Sequence, residues 1–440
     1  MKRNSGFILS LFDMFSLILK LNLKKKLILI YCFSTLLFLL IFIIGPSPTS
    51  GDTESNFSAG SILTHGKFDA LRTPVYPFIL AVFKLILSTN VAVKLGVIAF
   101  QYLLFCTSIY CFNTICAFFI KNKGISFFIV VCYACHPAIL VWQKIIMTES
   151  LALSGVVFFL YFSIRFLDTK KLHYSLLINL FVFLLIMLRP GFVILIPIVV
   201  CFWLYFVFKR GKNNLIGLAG IGCVVFLTIG YSLIFQKQYG IFSMSTVSDI
   251  NQYIMLRDAG LIETNNIKNT EFKKALSDSI LKKKSDSEYF DEYVYFYSQY
   301  GLPASDILVH ESIKKNFSKY LSYSFNRFAS ETTKSSVGFW DSFNRNKYNH
   351  YIKWICCPFV LLYFFLILYV YILFKYQFTF KSSLFIYSIA ISSIIVLIVG
   401  ASNSWGRLIV PTIPLLLIML GQFLEVVELK MNTDNKNAST

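Results

Sequence analysis

Charged side chains in the polar segments of this chain could act on a substrate that carries a phosphate group. The acidic candidates are Asp52, Glu54 and Glu149, and the basic candidates are Arg72, Lys144, Arg189 and Arg407. A positioned carboxylate can take the proton of an attacking hydroxyl group. The guanidinium of Arg presents a planar fork of donors to phosphate, and the ammonium of Lys presents a point charge. These residue types could therefore combine a general base with a site for an anionic group such as phosphate.

Long apolar runs must position these residues. Of the 440 residues, 56% are hydrophobic, and they occur in continuous runs rather than in amphipathic stripes. Such runs require lipid or neighbouring helices around them. We predict about ten membrane-spanning helices, since each run approaches the roughly 20 residues that a span needs. The predicted spans are 27–44, 91–120, 125–141, 151–164, 172–188, 192–208, 215–235, 351–374, 382–400 and 408–427. The predicted fold class is an all-α polytopic membrane protein.

The basic residues orient these spans. A net charge of +19 could indicate nucleic-acid binding, but Lys and Arg occur mainly in every second short loop. These loops carry Lys121, Lys123, Arg165, Lys170, Lys171, Lys209, Arg210, Lys212, Lys375 and Lys381. Because cytoplasmic loops are enriched in Lys and Arg, we predict that both termini are cytoplasmic and that nucleic acid is not a partner. The alternation requires that residues 76–87 form an outer helix or re-entrant piece.

This topology divides the chain into four segments. Residues 1–235 form an N-terminal transmembrane module with a first outer loop at 45–76. Residues 236–350 form a large outer loop, 351–429 the C-terminal spans, and 430–440 a polar cytoplasmic tail. Helical spacing of apolar residues after Ser305 and Asp306, the expected caps, predicts a helical large loop. That loop could cover an active site or pack as a hairpin on the membrane surface.

Each charged candidate also has a structural explanation. Asp52 lies in a loop rich in Gly, Ser and Pro, where Asp commonly forms turns. Glu149 opens a span and would suit the helix dipole, with Thr148 as a cap. Basic residues at span ends often extend toward lipid headgroups. Because basic residues are disfavoured in short outer loops, however, Arg189 and Arg407 favour a binding role.

Residues 52–77 form a pattern with counterparts in one enzyme family. The pattern consists of Asp52, Ala59, Gly66, Arg72, Pro74, Tyr76 and Pro77. It resembles the first loop of GT-C glycosyltransferases, in the branch of protein mannosyltransferases and lipid A aminoarabinose transferases. In that family an acidic residue follows the first helix, and an Arg-x-Pro-x-Tyr-Pro or Lys-Pro-Pro element precedes the second. Looser counterparts are His136-Pro137 through Glu149-Ser150, Arg189-Pro190, and Arg407 with Pro411 and Pro414.

The resemblance implies a GT-C-like fold that transfers a sugar from a polyprenyl-phosphate donor to a glycan, lipid or protein acceptor. The active site would face the outer side of the plasma (inner) membrane. Asp52 would be the base in a single displacement that inverts the anomeric centre, with Glu149 as a second catalytic residue. A lipid phosphate needs little protonation to leave at neutral pH, so no general acid is required. The donor phosphate would be bound by Arg72, Arg407, Arg189 and Lys144.

Further residues are expected to bind substrate or metal. The predicted substrate-binding residues are Glu54, His65 and Tyr76. Glu54 and Asp69 could also join Asp52 around a divalent metal ion, because carboxylates and water form sites for hard cations. No compact ligand spacing defines such a site, so the sequence leaves the metal undecided. The expected partners are the lipid-linked donor, the acceptor and membrane lipids.

Two other functions remain open alternatives. The chain has Phe57 where the family often has Tyr, and Arg72-Thr73-Pro74 in place of Lys-Pro-Pro, so the activities of the two named groups are not transferred. A surface-polysaccharide polymerase or ligase would also have a large outer loop with arginines, but the early acidic loop argues against it. A lipid-linked sugar flippase would need charged groups within its spans, where this chain has almost none.

Overall fold

A computed structural model describes residues 20–45, 47–49, 51–210, 215–265, 267, 269–280, 282, 284–332 and 410–438. These residues form helices and connecting segments, with no β-strand among them. The described helices are α1 (Leu23–Ile44), α2 (Gly51–Thr64), α3 (Val75–Ile86), α4 (Asn90–Phe119), α5 (Lys123–Cys135), α6 (Pro137–Lys144), α7 (Thr148–Thr169), α8 (Leu172–Leu188), α9 (Leu195–Arg210), α10 (Leu215–Tyr239), α11 (Val247–Asp258), α12 (Thr270–Ile280), α13 (Asp286–Tyr300), α14 (Leu302–Lys315), α15 (Phe317–Thr332) and α16 (Ile413–Ala438). The all-α prediction is confirmed for this part of the chain.

Six apolar helical stretches in the described part of the chain are long enough to cross a membrane. They are Leu23–Ile44, Asn90–Phe119, Thr148–Thr169, Pro190–Lys209, Leu215–Tyr239 and Val410–Leu429. Each overlaps a predicted span, and together they are consistent with a membrane protein. Helix α8 corresponds to a seventh predicted span but has only 17 residues. The predicted spans 351–374 and 382–400 lie outside the described residues.

The predicted span 125–141 is wrong as a single helix. Helix α5 has 13 residues and ends before His136, whose backbone is extended. Helix α6 then begins at Pro137. Proline disfavours the helical conformation of the residue before it and has no N–H to continue the ladder of hydrogen bonds. The apolar run therefore divides into two short helices.

Helix α2 replaces much of the loop expected at residues 45–76, and α3 follows it. Helix α2 is rich in Gly, Ser and Thr, which have low helix propensity, so its order depends on packing. It lies against α3 so closely that a Cβ at Gly60 would be 2.8 Å from the Pro77 carbonyl oxygen. Helix α3 has 12 residues, fewer than a membrane span needs. The expected helix near residues 76–87 is confirmed.

Helices α11 to α15 form a second unit, which we call the polar unit; α1 to α10 and α16 form the apolar bundle. The polar unit has its own core of aromatic and aliphatic side chains, including Tyr253, Phe272, Tyr293, Phe296 and Val309. The large loop is therefore helical as predicted through residue 332. The predicted caps at Ser305 and Asp306 are wrong, because α14 already begins at Leu302. Gly301, with φ of 84°, reverses the chain, and Pro303 suits the first helical turn.

A short segment joins the bundle to the polar unit. The Phe68 carbonyl oxygen accepts hydrogen bonds from the Tyr239 hydroxyl at 2.6 Å and from the Gln238 amide at 2.8 Å. The Ala70 carbonyl oxygen accepts from the Thr246 backbone N–H at 2.9 Å and from its hydroxyl at 3.0 Å. These bonds attach residues 68–70 to the end of α10 and the start of α11. They thereby position the side chain that follows, Arg72.

Candidate active-site cavity

A cavity of about 650 Å³ lies where the apolar bundle meets the polar unit. The bundle contributes the first turn of α2, the Leu71–Thr73 segment, the start of α7 and the end of α8. The polar unit contributes α11 and the first turns of α13. Volumes of 300 to about 1,000 Å³ are typical of small-molecule sites. The cavity is lined by four predicted site residues, namely Asp52, Arg72, Glu149 and Arg189.

Asp52 and Arg72 form an ion pair at one side of the cavity. The Arg72 Nη2 donates to Asp52 Oδ1 at 2.5 Å, and its Nε donates to Ser55 Oγ at 3.0 Å. Asp69 accepts from the backbone N–H groups of Leu71 and Arg72, both at 2.8 Å, which turns the chain toward α2. The side chains of Asp52 and Arg72 remain 29% and 21% exposed. A ligand in the cavity can therefore reach both charges.

Glu149 and Arg189 form a second acid–base pair. Glu149 lies in the first turn of α7, where a carboxylate interacts favourably with the helix dipole. Its Oε1 lies 3.8 Å from Arg189 Nη2. The Glu149 side chain is 1% exposed and that of Arg189 is 18% exposed, so the guanidinium is the more accessible partner. The predicted Thr148 cap is not formed, because Met147 occupies the N-cap position.

Hydrogen bonds between distant segments hold the two pairs beside each other. The Thr53 hydroxyl donates to the Ile146 carbonyl oxygen at 3.0 Å, which ties α2 to the turn before Glu149. The Thr73 hydroxyl donates to the Leu188 carbonyl oxygen at 3.0 Å, which ties Arg72 to Arg189. Both hydroxyl groups are buried. The neighbours of the charged residues thus connect four segments of chain in two pairs.

Lys144, Glu54, His65 and Tyr76 do not line this cavity. Lys144 Nζ donates to the Gly45 and Ile41 carbonyl oxygens at 3.0 and 3.4 Å, so it caps the end of α1. Glu54 is exposed on α2. Tyr76 is fully buried, and its hydroxyl donates to Gln101 Oε1 at 2.8 Å.

His65 lies at a separate cavity of about 370 Å³ between α2 and α3, which Ser61 and Lys84 also line. Its Nδ1 is 2.8 Å from the Ser61 carbonyl oxygen. The predicted ligand Arg407 lies outside the described residues. The ligand atoms of the predicted metal group, Asp52, Glu54 and Asp69, do not lie close enough together in the described residues to hold one ion. Asp69 instead accepts hydrogen bonds from two backbone N–H groups, and Glu54 is exposed.

The sequence did not identify the wall that the polar unit contributes. This wall carries Asn251 on α11 and Asp286, Phe290 and Asp291 on α13. Asp286 Oδ2 is 2.7 Å from Arg327 Nη2, which anchors the start of α13 to α15. These residues lie roughly two hundred positions after Asp52, and no local pattern links them to it. The only local signal was the Ser285–Glu288 capping box, which marks the start of α13.

The comparisons with known proteins give no family assignment. The sequence matches no protein-family model, and no curated protein matches it significantly.

Proposed function

We propose that the protein is a GT-C-type membrane glycosyltransferase. It transfers a sugar from a polyprenyl-phosphate donor to a glycan, lipid or protein acceptor. The observation that carries this proposal is the shared cavity of Asp52, Arg72, Glu149 and Arg189. The family resemblance had predicted all four as site residues, Asp52 and Arg72 from the first loop and Glu149 and Arg189 from its looser later counterparts. The cavity also lies at the ends of apolar helices, which suits a donor with a lipid tail.

The chemistry assigns a role to each pair. The acceptor hydroxyl oxygen attacks the anomeric carbon, and its proton moves to the Asp52 carboxylate. The bond between the anomeric carbon and the phosphate oxygen breaks, and the lipid phosphate leaves with that electron pair. Arg72 and Arg189 stabilise the negative charge on the departing phosphate. A single displacement of this kind inverts the anomeric centre.

The ion pairs fit this sequence of events. A donor phosphate competes with Asp52 for the Arg72 guanidinium, which already lies 2.5 Å from the carboxylate. Binding of the donor would thus release the base next to the anomeric carbon. Glu149, which is almost fully buried, positions the Arg189 guanidinium and thereby assists its interaction with the phosphate. The proposed topology places the cavity on the outer face of the plasma membrane, with cytoplasmic termini.

The test combines gene deletion with one matched pair of variants. In cells that lack the protein, mass spectrometry of lipid extracts should detect an accumulated polyprenyl monophosphate sugar. Wild-type protein should remove it, and so should Asp168→Asn, because Asp168 is exposed at the opposite end of α7. Asp52→Asn should fail, since the amide cannot accept the proton. Membrane abundance and circular dichroism of the variant should match the wild type.

Three other outcomes would contradict parts of this proposal. Accumulation of a diphosphate-linked repeat unit would identify a polymerase or ligase. A donor trapped on the cytoplasmic side would identify a flippase. Full complementation by Asp52→Asn would remove Asp52 as the base.

A further inference from the structure

Three side chains of the polar unit form a cluster that the proposed reaction does not use. Asp249 lies on α11, and Asp306 and His310 lie one turn apart on α14. One potential ligand atom from each residue lies within 4.8 Å of the other two. None of the three residues lines the active-site cavity. A cluster of two carboxylates and one imidazole therefore joins two helices at a separate place.

An ion pair on the surface of one helix explains only part of this cluster. Asp306 and His310 form an i,i+4 pair, with 3.1 Å between Asp306 Oδ1 and His310 Nδ1. Such pairs are common on helix surfaces. Asp249, however, is 6% exposed, and its Oδ2 has no hydrogen-bond partner among the described residues. A buried carboxylate oxygen without a partner is costly, so the i,i+4 pair does not explain its presence.

A second buried group points to the same place. Tyr293 on α13 is fully buried, and its hydroxyl has no hydrogen-bond partner in the described part of the chain. Burial raises the pKa of the Tyr293 hydroxyl, and the negative charges of Asp249 and Asp306 raise it further. Two buried polar atoms from different helices thus lack partners beside one cluster of metal-ligand side chains. A bound cation with its water ligands would satisfy both atoms.

The donor set selects the kind of cation. Imidazole favours Zn²⁺ and similar transition metals over Mg²⁺ and Ca²⁺, and carboxylate oxygens bind Zn²⁺ at about 2.0–2.2 Å. In the tetrahedral geometry of Zn²⁺ sites, two ligand atoms at about 2.0–2.2 Å from the ion lie about 3.3–3.6 Å apart. Zn²⁺ binding therefore requires side-chain rotations that bring the three ligand atoms closer than the observed limit of 4.8 Å. Two carboxylates also balance the charge of a divalent ion.

We propose that Asp249, Asp306 and His310 bind a divalent transition-metal ion of the Zn²⁺ class. The ion links α11 to α14. Asn251, which lines the active-site cavity, lies two residues after Asp249 on α11. The metal therefore has a structural role, in which it holds one wall of that cavity. Metal binding does not depend on the reaction that the cavity performs.

The test uses the full-length protein in lipid nanodiscs after treatment with a chelator. Titration of Zn²⁺ against a chromophoric competitor should give about one tightly bound ion per chain. Asp249→Asn and His310→Gln should each weaken binding by at least about 100-fold, since loss of outer partners alone costs 10–100-fold. The matched controls are Asp278→Asn and His173→Gln, which alter exposed residues elsewhere. Both controls should bind Zn²⁺ as the wild type does.

Two further measurements distinguish Zn²⁺ binding at this site from Zn²⁺ binding elsewhere on the protein. Co²⁺ should give the weak absorption of nitrogen and oxygen ligands, whereas an intense charge-transfer band would indicate binding by exposed cysteines such as Cys32 or Cys223. Zn²⁺ should raise the thermal unfolding temperature of the wild type and of both controls, but not that of Asp249→Asn or His310→Gln. Without metal, Asp249→Asn should unfold no earlier than the wild type, because it removes a buried carboxyl group whose Oδ2 has no partner among the described residues. Equal Zn²⁺ affinity in all variants, a thiolate spectrum, or no stoichiometric binding would overturn the proposal.

Discussion

The apolar bundle and the polar unit use polar side chains in different ways. Away from the helix ends, buried polar groups of the bundle such as Ser34 form neutral hydrogen bonds. Ser34 Oγ donates to the Ala134 carbonyl oxygen at 2.7 Å. In the polar unit, buried Glu292 instead accepts hydrogen bonds from Arg257 Nε at 3.0 Å and from Lys284 Nζ at 2.6 Å. Ionised groups are costly within a membrane, whereas the polar unit can pair them. Charge that could act on a substrate is therefore found where the two regions meet.

The largest effect on stability is expected from Glu292→Gln. This change leaves Arg257, whose side chain is 3% exposed, without its carboxylate partner. Removal of one partner from a buried pair typically costs about 3–5 kcal/mol. Hydrogen exchange measured by mass spectrometry should therefore accelerate in α11 to α13 but not in α7 and α8. The exposed Glu271→Gln on α12 is the control. Unchanged exchange in α11 to α13 would contradict the idea that paired charge stabilises this unit.

Acid should weaken the polar unit through the same carboxylate. Burial alone would raise the pKa of Glu292, but hydrogen bonds from Lys284, Tyr253 and Ser279, with the charge of Arg257, lower it below the ordinary value of 4.5. A carboxyl with a depressed pKa stabilises the fold above its unfolded pKa, and this contribution disappears as the pH falls through the folded pKa. Near-ultraviolet circular dichroism of the tyrosines should record earlier thermal unfolding at acidic pH. Glu292→Gln should lose this contribution to the pH dependence, and an unaltered profile would assign it to other groups.

The smallest effect is expected within the bundle. Asn179 Nδ2 donates to the Gly217 carbonyl oxygen at 3.0 Å, and Trp203 Nε1 donates to Asn179 Oδ1 at 3.2 Å. Hydrogen bonds between membrane helices contribute about 0.6 kcal/mol on average and about 1.7 kcal/mol at most. Asn179→Ala should therefore cost little more than Leu180→Ala, which alters an exposed neighbour. Unfolding followed by Trp fluorescence measures both. A loss as large as that of Glu292→Gln would remove the contrast between the two regions.

The sequence predicted the type of each region better than its internal geometry. Long apolar runs and the helical pattern of the large loop depend on local composition. In the described residues six of the runs form long apolar helices and the large loop is helical, whereas the predicted number of ten spans is not confirmed. Pro137 was a sequence signal for a helix break, but the prediction of a single span gave more weight to the apolar residues around it. Helix α2 could not be recognised, because its Gly, Ser and Thr residues favour other conformations until α3 packs against them.

For the site, the sequence predicted individual charged residues, and only the tertiary structure determined which of them lie in contact. Arg72 and Asp52 are 20 residues apart and form a pair, whereas Lys144, also nominated, caps α1. Such pairings depend on how helices cross and on which hydroxyl groups form hydrogen bonds between helix ends. These contacts join residues far apart in the sequence, so the local spacing of apolar residues does not predict them. The wall from α11 and α13 is the strongest case, because helices α3 to α10 lie between it and Asp52 in the sequence. Local composition thus determined what each segment is, and packing determined what the segments do together.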